Sequence, residues 1–343
     1  MAGIWHAAGQ VWPAFVLVGG LLLVGVVAEE DGLFHAAGTA LARAPGGTRT
    51  AFLLSLTLVV CVTAVLNLDT SVFFLTPVLL HLARARGVDE APFLYGAVFM
   101  SNAGSLFLPG SNLTNLIALH GDHVSGATFL SRLLASAVAA VVSTALVLLV
   151  VFRRELDATA SKPSERAPFR LGIGLVAVAA STVAVLALAA PAVPVLVIGA
   201  AACALRRVDR ARLAAVLDLR VLVGLFVVAV ALGAVGRWWT GPARLLDHLG
   251  RAGTAVAGAV AAIAVNNLPA SVLLTPRPPE HARALLLGLN LGPNLAVTGS
   301  LSAFLWLRVA RGLDARPSIR RYSRIGIVLV PISLGAALAA TWI

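Results

Sequence analysis

Apolar runs of membrane-spanning length recur along the chain, at about 11–28, 128–152, 171–189, 192–205, 221–236 and 322–342. A helix needs about 20 mainly apolar residues to cross the hydrocarbon of a bilayer, so these runs dictate the fold class before any motif is read. Only 12% of the 343 residues are charged, against roughly 25% in soluble domains. An ordinary cytosolic enzyme is excluded, and the chain reads as an all-α polytopic membrane protein. Eight spans would take about 160 positions, leaving loops but no soluble domain of useful size. No basic stretch precedes the first apolar run, so Pro13–Ala28 reads as a retained helix, not a cleaved signal.

The formal charge of +11 does not point to nucleic acid, because the 26 basic residues form short clusters between apolar runs. That is the pattern of cytoplasmic membrane loops. Cys61 and Cys203 lie inside apolar segments without paired or zinc-like spacing, so no metal and no cofactor is expected. The one lysine, Lys162, sits in a loop that lacks the glycines of a phosphate-binding motif. The chain is therefore not its own P-loop ATPase, and it reads as a carrier, not an enzyme.

Four more apolar segments are interrupted by polar residues. Residues 51–83 are broken by Asn67-Leu68-Asp69-Thr70, and residues 253–276 by Asn266-Asn267-Leu268-Pro269. Residues 93–120 are broken from Ser101 to Asn115, and 283–308 from Asn290 to Ser300. Polar-edged stretches at 30–43 and 241–250 read as interfacial helices. The breaks repeat: Ala64-Val-Leu-Asn-Leu-Asp-Thr-Ser-Val72 matches Ala264-Val-Asn-Asn-Leu-Pro-Ala-Ser-Val272 at six of nine positions. Thr76-Pro77 and Thr275-Pro276 follow, and Asn102-x-Gly104 with Gly110-Ser111 is echoed by Asn290-x-Gly292 with Gly299-Ser300. Duplicated halves with hydrophobic segments interrupted at matching places mark secondary transporters and point to the binding site. The organisation expected is a first repeat over 1–152, a cytoplasmic linker over 153–170 and a second repeat over 171–343.

Counting basic residues fixes the topology. If 51–83 and 253–276 each crossed once, the two sides would carry 12 and 14, against the positive-inside rule. If both are re-entrant hairpins, the loops at 29–50, 84–92, 153–170, 206–220 and 308–324 share one side and the split is 20 to 6. The second arrangement places both termini outside and opens the hairpins to opposite faces, as an inverted repeat requires.

A backbone that leaves the helix within hydrocarbon must satisfy its N–H and C=O groups on protein or in a wet cavity. Each Asn, Ser, Thr or Gly at a break can therefore be a cap or a kink. As a set they suggest more: Asn67, Asn102, Asn112, Asn115, Asn266, Asn267, Asn290 and Asn294, with Thr70, Ser111, Thr298 and Ser300, are candidate substrate ligands near the midplane. Half-helix N-termini at the breaks offer positive dipole ends to an oxyanion or polar solute. Asp69 is the one acid deep in the predicted membrane region, and an intramembrane carboxylate is a functional candidate by default. It fits a proton carrier, a cation ligand or a cap for the second hairpin helix. No Arg or Lys lies at a break, which argues against a dianion needing charge pairing. Cys61 reads as a lone core cysteine, since metalloid capture by thiolate wants several together.

The stretches Asn67-Leu-Asp-Thr-Ser-x-x-Phe-Leu-Thr-Pro77, Ser101–Asn115 and Asn290-Leu-Gly-Pro-Asn-Leu-Ala-Val-Thr-Gly-Ser-Leu301, with Asn267-Leu-Pro269 and Leu305-Trp-Leu307, resemble the ArsB-type arsenite permeases. The resemblance runs from about residue 11 to 342. It implies two helical hairpins, two discontinuous helices, and export of arsenite or antimonite in exchange for protons across a bacterial plasma membrane. The wider superfamily includes sodium/proton antiporters and dicarboxylate carriers. The partners it implies are the small solute, protons, lipid, a separate soluble ATPase with which such exporters can work, and a second copy in a homodimer. The segment 171–205 has no counterpart in the first half, so a longer upstream reading frame with two more apolar helices is expected.

Overall fold

The structure is a computed structural model that describes residues 2–119, 125–157 and 172–342. Most of the predicted linker, 158–170, lies outside the described residues, as does position 120 at the end of the first broken segment. The first series of helices is α1 (Ala2–Glu30), α2 (Leu33–Arg43), α3 (Thr48–Val65), α4 (Leu68–Ala85), α5 (Ala91–Gly104), a 3-10 turn at Pro109–Ser111, α6 (Leu113–Ala118) and α7 (Gly126–Val151). The short α8 (Arg153–Leu156), then α9 (Ile173–Ala187), α10 (Ala192–Arg206) and α11 (Arg210–Leu217), lead into the second. That series repeats the order: α12 (Leu219–Trp238), α13 (Gly241–Asp247), α14 (Arg251–Val265), α15 (Asn267–Leu274), α16 (Ala282–Leu291), 3-10 turns at Gly292–Leu295 and Val297–Gly299, α17 (Leu301–Gly312) and α18 (Ile319–Ala339). No strand occurs among the described residues. Six helical segments are long and apolar enough to cross a membrane, and α9, α10 and α14 are shorter apolar helices.

The four breaks fall where the polar residues interrupt the apolar pattern, and each new helix starts on a side-chain cap. The Asn67 Oδ1 accepts from the Thr70 N–H at 2.7 Å and starts α4. Asn112 caps α6 through the Thr114 N–H at 3.0 Å, and Ser300 caps α17 through the Ala303 N–H at 3.3 Å. The second hairpin differs by one residue from the sequence alignment, which pairs Asn67 with Asn267. There the capping residue is Asn266, which accepts from the Leu268 N–H at 3.3 Å. Pro269, the third residue of α15, has no N–H for a cap to reach, so Asn266 bonds the second residue of its helix. Asn266 adopts φ 77° and ψ 148° at this turn, whereas Asn67 is fully extended. Such a backbone is ordinarily left to glycine and costs of order 1–3 kcal/mol.

Within each half, the first hairpin arm packs on the helix leading into the break: α3 on α5, and α14 on α16. The second arms pack on their own half and also reach across to the other. Helix α4 packs on α17, and α15 packs on α6. Helix α7 packs along α18, while α1 is held by α9, α10 and α12. Gly25 of α1 allows α4 to close in, since a Cβ there would sit 2.7 Å from the Thr70 methyl carbon.

Polar contacts sort the connecting segments into two ends. Arg49 pairs with Asp157 at 2.6 Å, Arg206 with Asp31 at 2.7 Å and Arg321 with Glu155 at 2.6 Å. Arg212 pairs with Glu29, and the Arg84 Nη2 donates to the Leu313 carbonyl at 2.8 Å. The five segments that the arginine count assigns to one side are thus tied to one another at one end of the bundle. At the opposite end Arg277 pairs with Asp247. There too the Gln10 side chain bonds Arg237 at 3.1 Å and the Thr275 carbonyl at 3.5 Å. Helix α3 begins at the arginine-rich end and its counterpart α14 at the other, so the two series run in opposite directions.

Buried Arg86 closes the first hairpin. Its guanidinium donates to the carbonyls of Ala42 at 2.8 Å, Ala44 at 2.9 Å and Leu41 at 3.2 Å, at the C-terminal end of α2. Desolvation by burial lowers its pKa, but an arginine remains charged in proteins. Arg86→Ala is expected to strip three carbonyls of a charged donor and cost about 1.5–3 kcal/mol. The measurement is the midpoint of thermal unfolding in detergent; an unchanged midpoint would mean that water takes over all three bonds.

Candidate functional site

The two broken helices meet through asparagine. The Asn290 Oδ1 accepts from the Ser105 Oγ at 2.6 Å and the Asn112 Nδ2 at 2.7 Å. Its Nδ2 donates to the Asn115 Oδ1 at 2.7 Å and to the Leu286 carbonyl at 2.8 Å. A primary amide has two donors and two accepting lone pairs, so Asn290 is saturated. The Asn102 Nδ2 donates to the Asn294 Oδ1 at 2.8 Å, and the Asn294 Nδ2 to the Phe99 carbonyl at 3.3 Å. The Asn115 Nδ2 reaches the Ser105 carbonyl at 2.8 Å. All of these side chains are fully or almost fully buried.

Each hairpin tip leans on the break of its own half. The Ser111 Oγ bonds the Ala64 carbonyl at 3.3 Å, and the Asn266 Nδ2 donates to the Thr298 carbonyl at 3.1 Å. Thr298 itself is exposed, so only its carbonyl joins the site. Thr70 is buried with its methyl against Gly25 of α1, and its hydroxyl has no partner among the described residues. Ser300 bonds Ser302 at 2.9 Å and serves its helix. Asn267 is 5% exposed.

Asp69 lies in the first turn of α4, half-buried, and no described residue bonds its carboxylate. The helix N-terminus favours its negative charge. Buried polar atoms without partners include the Asn67 Nδ2, the Asn102 Oδ1 and the hydroxyls of Thr63, Thr70 and Thr114 around the first tip and break, besides others at Thr76, Thr144, Ser181 and Arg237. Groups of this kind are left open where a solute or water is to bind. No cluster of metal-ligating side chains occurs among the described residues. Cys61 is exposed and Cys203 buried, both as free thiols.

Sequence reasoning missed two parts of this arrangement. Ser105 bridges the halves; a signal existed, since it follows Asn102 by three residues within the break. The second is an aromatic block that sets the second break in place. The Trp306 Nε1 donates to the Leu94 carbonyl at 2.8 Å, and the Tyr322 hydroxyl to the Pro293 carbonyl at 3.1 Å. Trp306 touches Tyr322 directly, with ring centroids 5.7 Å apart, and Tyr95 packs on the Trp306 ring at 5.3 Å while its hydroxyl donates to the Ser318 carbonyl at 2.9 Å. Only Trp306 carried a sequence signal, as part of the Leu305-Trp-Leu307 motif.

Residues 4–301 match the model of the family described as citrate transporter, CitMHS. The protein belongs to the citrate transporter family. Several relatives align over nearly its whole length. The arsenical pump membrane protein of Escherichia coli is 24% identical over 98% of this chain and 87% of its own. That of Yersinia enterocolitica is 25% identical with the same coverage. The silicon efflux transporter LSI3 of rice (Oryza sativa subsp. japonica) is 29% identical over 45% of this chain and 32% of its own. Among solved structures, the YdaH transporter of Alcanivorax borkumensis superposes with a TM-score of 0.62 at 15% identity, over 98% of this chain and 86% of that one. That likeness establishes a shared all-helical transporter fold. This member of the citrate transporter family is therefore a membrane transporter of the ion and carboxylate class.

Proposed function

We propose that the protein exports arsenite or antimonite across a bacterial plasma membrane in exchange for protons. The observation that carries the reading is the chemistry of the site: amides and hydroxyls, one carboxylate at Asp69, and no Arg or Lys at any of the four breaks. Arsenous acid is uncharged at neutral pH, and amides both donate to and accept from its hydroxyls. Asn67 and Asn102 keep one open position each for such a solute. The full-length similarity to arsenical pump membrane proteins supports the same substrate class.

A second reading, a proton- or sodium-coupled carrier of a carboxylate, is favoured by the family description and by the N-termini of α4, α15 and α17 at the breaks. Flux in proteoliposomes separates the two. Arsenite uptake into vesicles driven by an imposed pH gradient, without sodium, is expected; citrate uptake with no arsenite uptake would replace the first reading by the second.

The topology proposed with it has both hairpins re-entrant and both termini outside. Support comes from the length of α15, whose eight residues rise about 12 Å, against a hydrocarbon core of about 30 Å. The arginine-rich end is then cytoplasmic. Single cysteines replacing exposed Arg49 and Asp89, in a variant without Cys61 and Cys203, are expected to react from the same side with an impermeant thiol reagent. Labelling from opposite sides would sink the hairpin model.

A further inference from the structure

Helix α2 is fixed along the lower part of α4 by three contacts. The Phe34 ring stacks on Phe74 with centroids 5.2 Å apart. One turn on, Gly38 lets α4 close in, since a Cβ there would run into the Val78 side chain. At the end of both helices the Arg86 guanidinium donates to the Ala42 and Ala44 carbonyls. The contacts advance together in sequence, so α2 and α4 lie side by side and run in the same direction. Groups that project from this frame are held at a set separation.

Two such groups are imidazoles. His35 of α2 and His81 of α4 face each other, with ring centres 6.3 Å apart and planes tilted by 42°. Both side chains are exposed, and neither has a hydrogen-bond or ion-pair partner among the described residues. The charge of Arg84, three residues past His81, is taken up by Glu90 at 2.6 Å. Packing does not need the two rings, because Phe34, Phe74, Gly38 and Val78 already join the helices. Imidazole suits zinc, nickel and copper. An ion about 2.0–2.1 Å from one nitrogen of each ring holds the ring centres roughly 5–6 Å apart. A small side-chain rotation therefore closes this pair on an ion without moving either backbone. No group of three or more His, Cys, Asp or Glu side chains occurs among the described residues, so water completes the shell. That makes an exchangeable ion, unlike the four-ligand cage of a structural zinc.

We infer that His35 and His81 form a divalent transition-metal site that clips α2 to α4 at the arginine-rich end of the bundle. Helix α4 is the second arm of the first hairpin and carries Asp69 in its first turn, while α2 follows directly on α1. An ion bound here restrains that arm against the chain leaving α1. The test uses the full-length protein in mild detergent, without a polyhistidine tag, titrated with zinc chloride by isothermal calorimetry and followed by thermal unfolding. His35→Gln and His81→Gln are each expected to weaken one zinc ion about tenfold or more. The double variant is expected to bind no more weakly than either single one, because losing one ligand already spoils a two-ligand site. His248→Gln, exposed at the opposite end, is expected to bind as the unaltered protein does. Saturating zinc is expected to raise the unfolding midpoint of the unaltered protein and of neither single variant. Elution as a single symmetrical peak on gel filtration checks folding, and His35→Asn or His81→Asn replaces a variant that fails it. Equal zinc binding with and without either histidine would overturn the site. Separate, additive losses from the two histidines, or a midpoint that zinc leaves unmoved, would overturn the clip.

Discussion

Asp69→Asn is expected to abolish accumulation of substrate against its gradient while leaving exchange of substrate for substrate measurable. The carboxylate stands at the tip of the first hairpin, in the first turn of α4, with no bonding partner among the described residues. Its counterpart in the second hairpin is Pro269, which cannot ionise. A cap would be wanted at both tips, and both tips have one in asparagine, Asn67 and Asn266. That leaves the carboxylate without a structural duty and available for loading and releasing a proton as the site alternates. Asparagine keeps the size and most of the hydrogen bonding and removes only titration. The measurement is uptake into proteoliposomes under an imposed pH difference, beside counterflow with no gradient. If the variant still concentrates substrate from the pH difference alone, coupling lies elsewhere, and Glu29 and Glu30 are next to be tested.

Asn290→Ala is expected to be the most damaging single change to the fold of the site. It leaves the Ser105 hydroxyl, the Asn112 amide and the Asn115 carbonyl oxygen without their shared partner. Hydrogen bonds between membrane helices are worth about 0.6–1.7 kcal/mol each, so the loss comes to roughly 2–5 kcal/mol. Asn67→Ala offers the contrast. Its Nδ2 has no partner among the described residues, so the change removes one cap, and expression is expected near wild type. A solute bonded to that amide would lose roughly 1–3 kcal/mol of affinity. Thermal unfolding and substrate binding measured on both variants separate the two roles. Equal destabilisation would make Asn67 structural as well.

The helices were legible because hydrocarbon imposes length and apolarity on them. The runs at 128–152 and 192–205 reappear within two residues as α7 and α10. The breaks were legible because a polar interruption in an apolar run has few uses other than turning the chain. The grouping of the connecting segments followed from charge alone, and the ion pairs Arg49–Asp157 and Arg321–Glu155 tie together segments that the count had put on one side. What charge and hydropathy could not supply was direction. Thr70 and Asn67 are three residues apart in one break, yet one is turned to Gly25 and the other caps its helix. The saturation of Asn290 depends on four bonds, three of them to residues more than 170 positions away. The alignment pairs Asn67 with Asn267, whereas the helix of the second hairpin starts one residue earlier, on Asn266.

The packing of each second arm across the two halves, α4 on α17 and α15 on α6, has a mechanical meaning. A protein built from two oppositely directed copies of one unit can reach a second shape by letting each copy adopt the other's conformation. One shape opens toward one compartment, and its reflection opens toward the other. Identical copies would populate both equally, so the resting bias of the carrier comes from where the copies differ. Two such places at the hairpin tips are Asp69 against Pro269, and an extended Asn67 against an Asn266 held at φ 77°. Replacing Asn266 with glycine would lift the backbone penalty from one copy only, at the loss of the bonds to the Leu268 N–H and the Thr298 carbonyl, and so shift the balance between the two open forms.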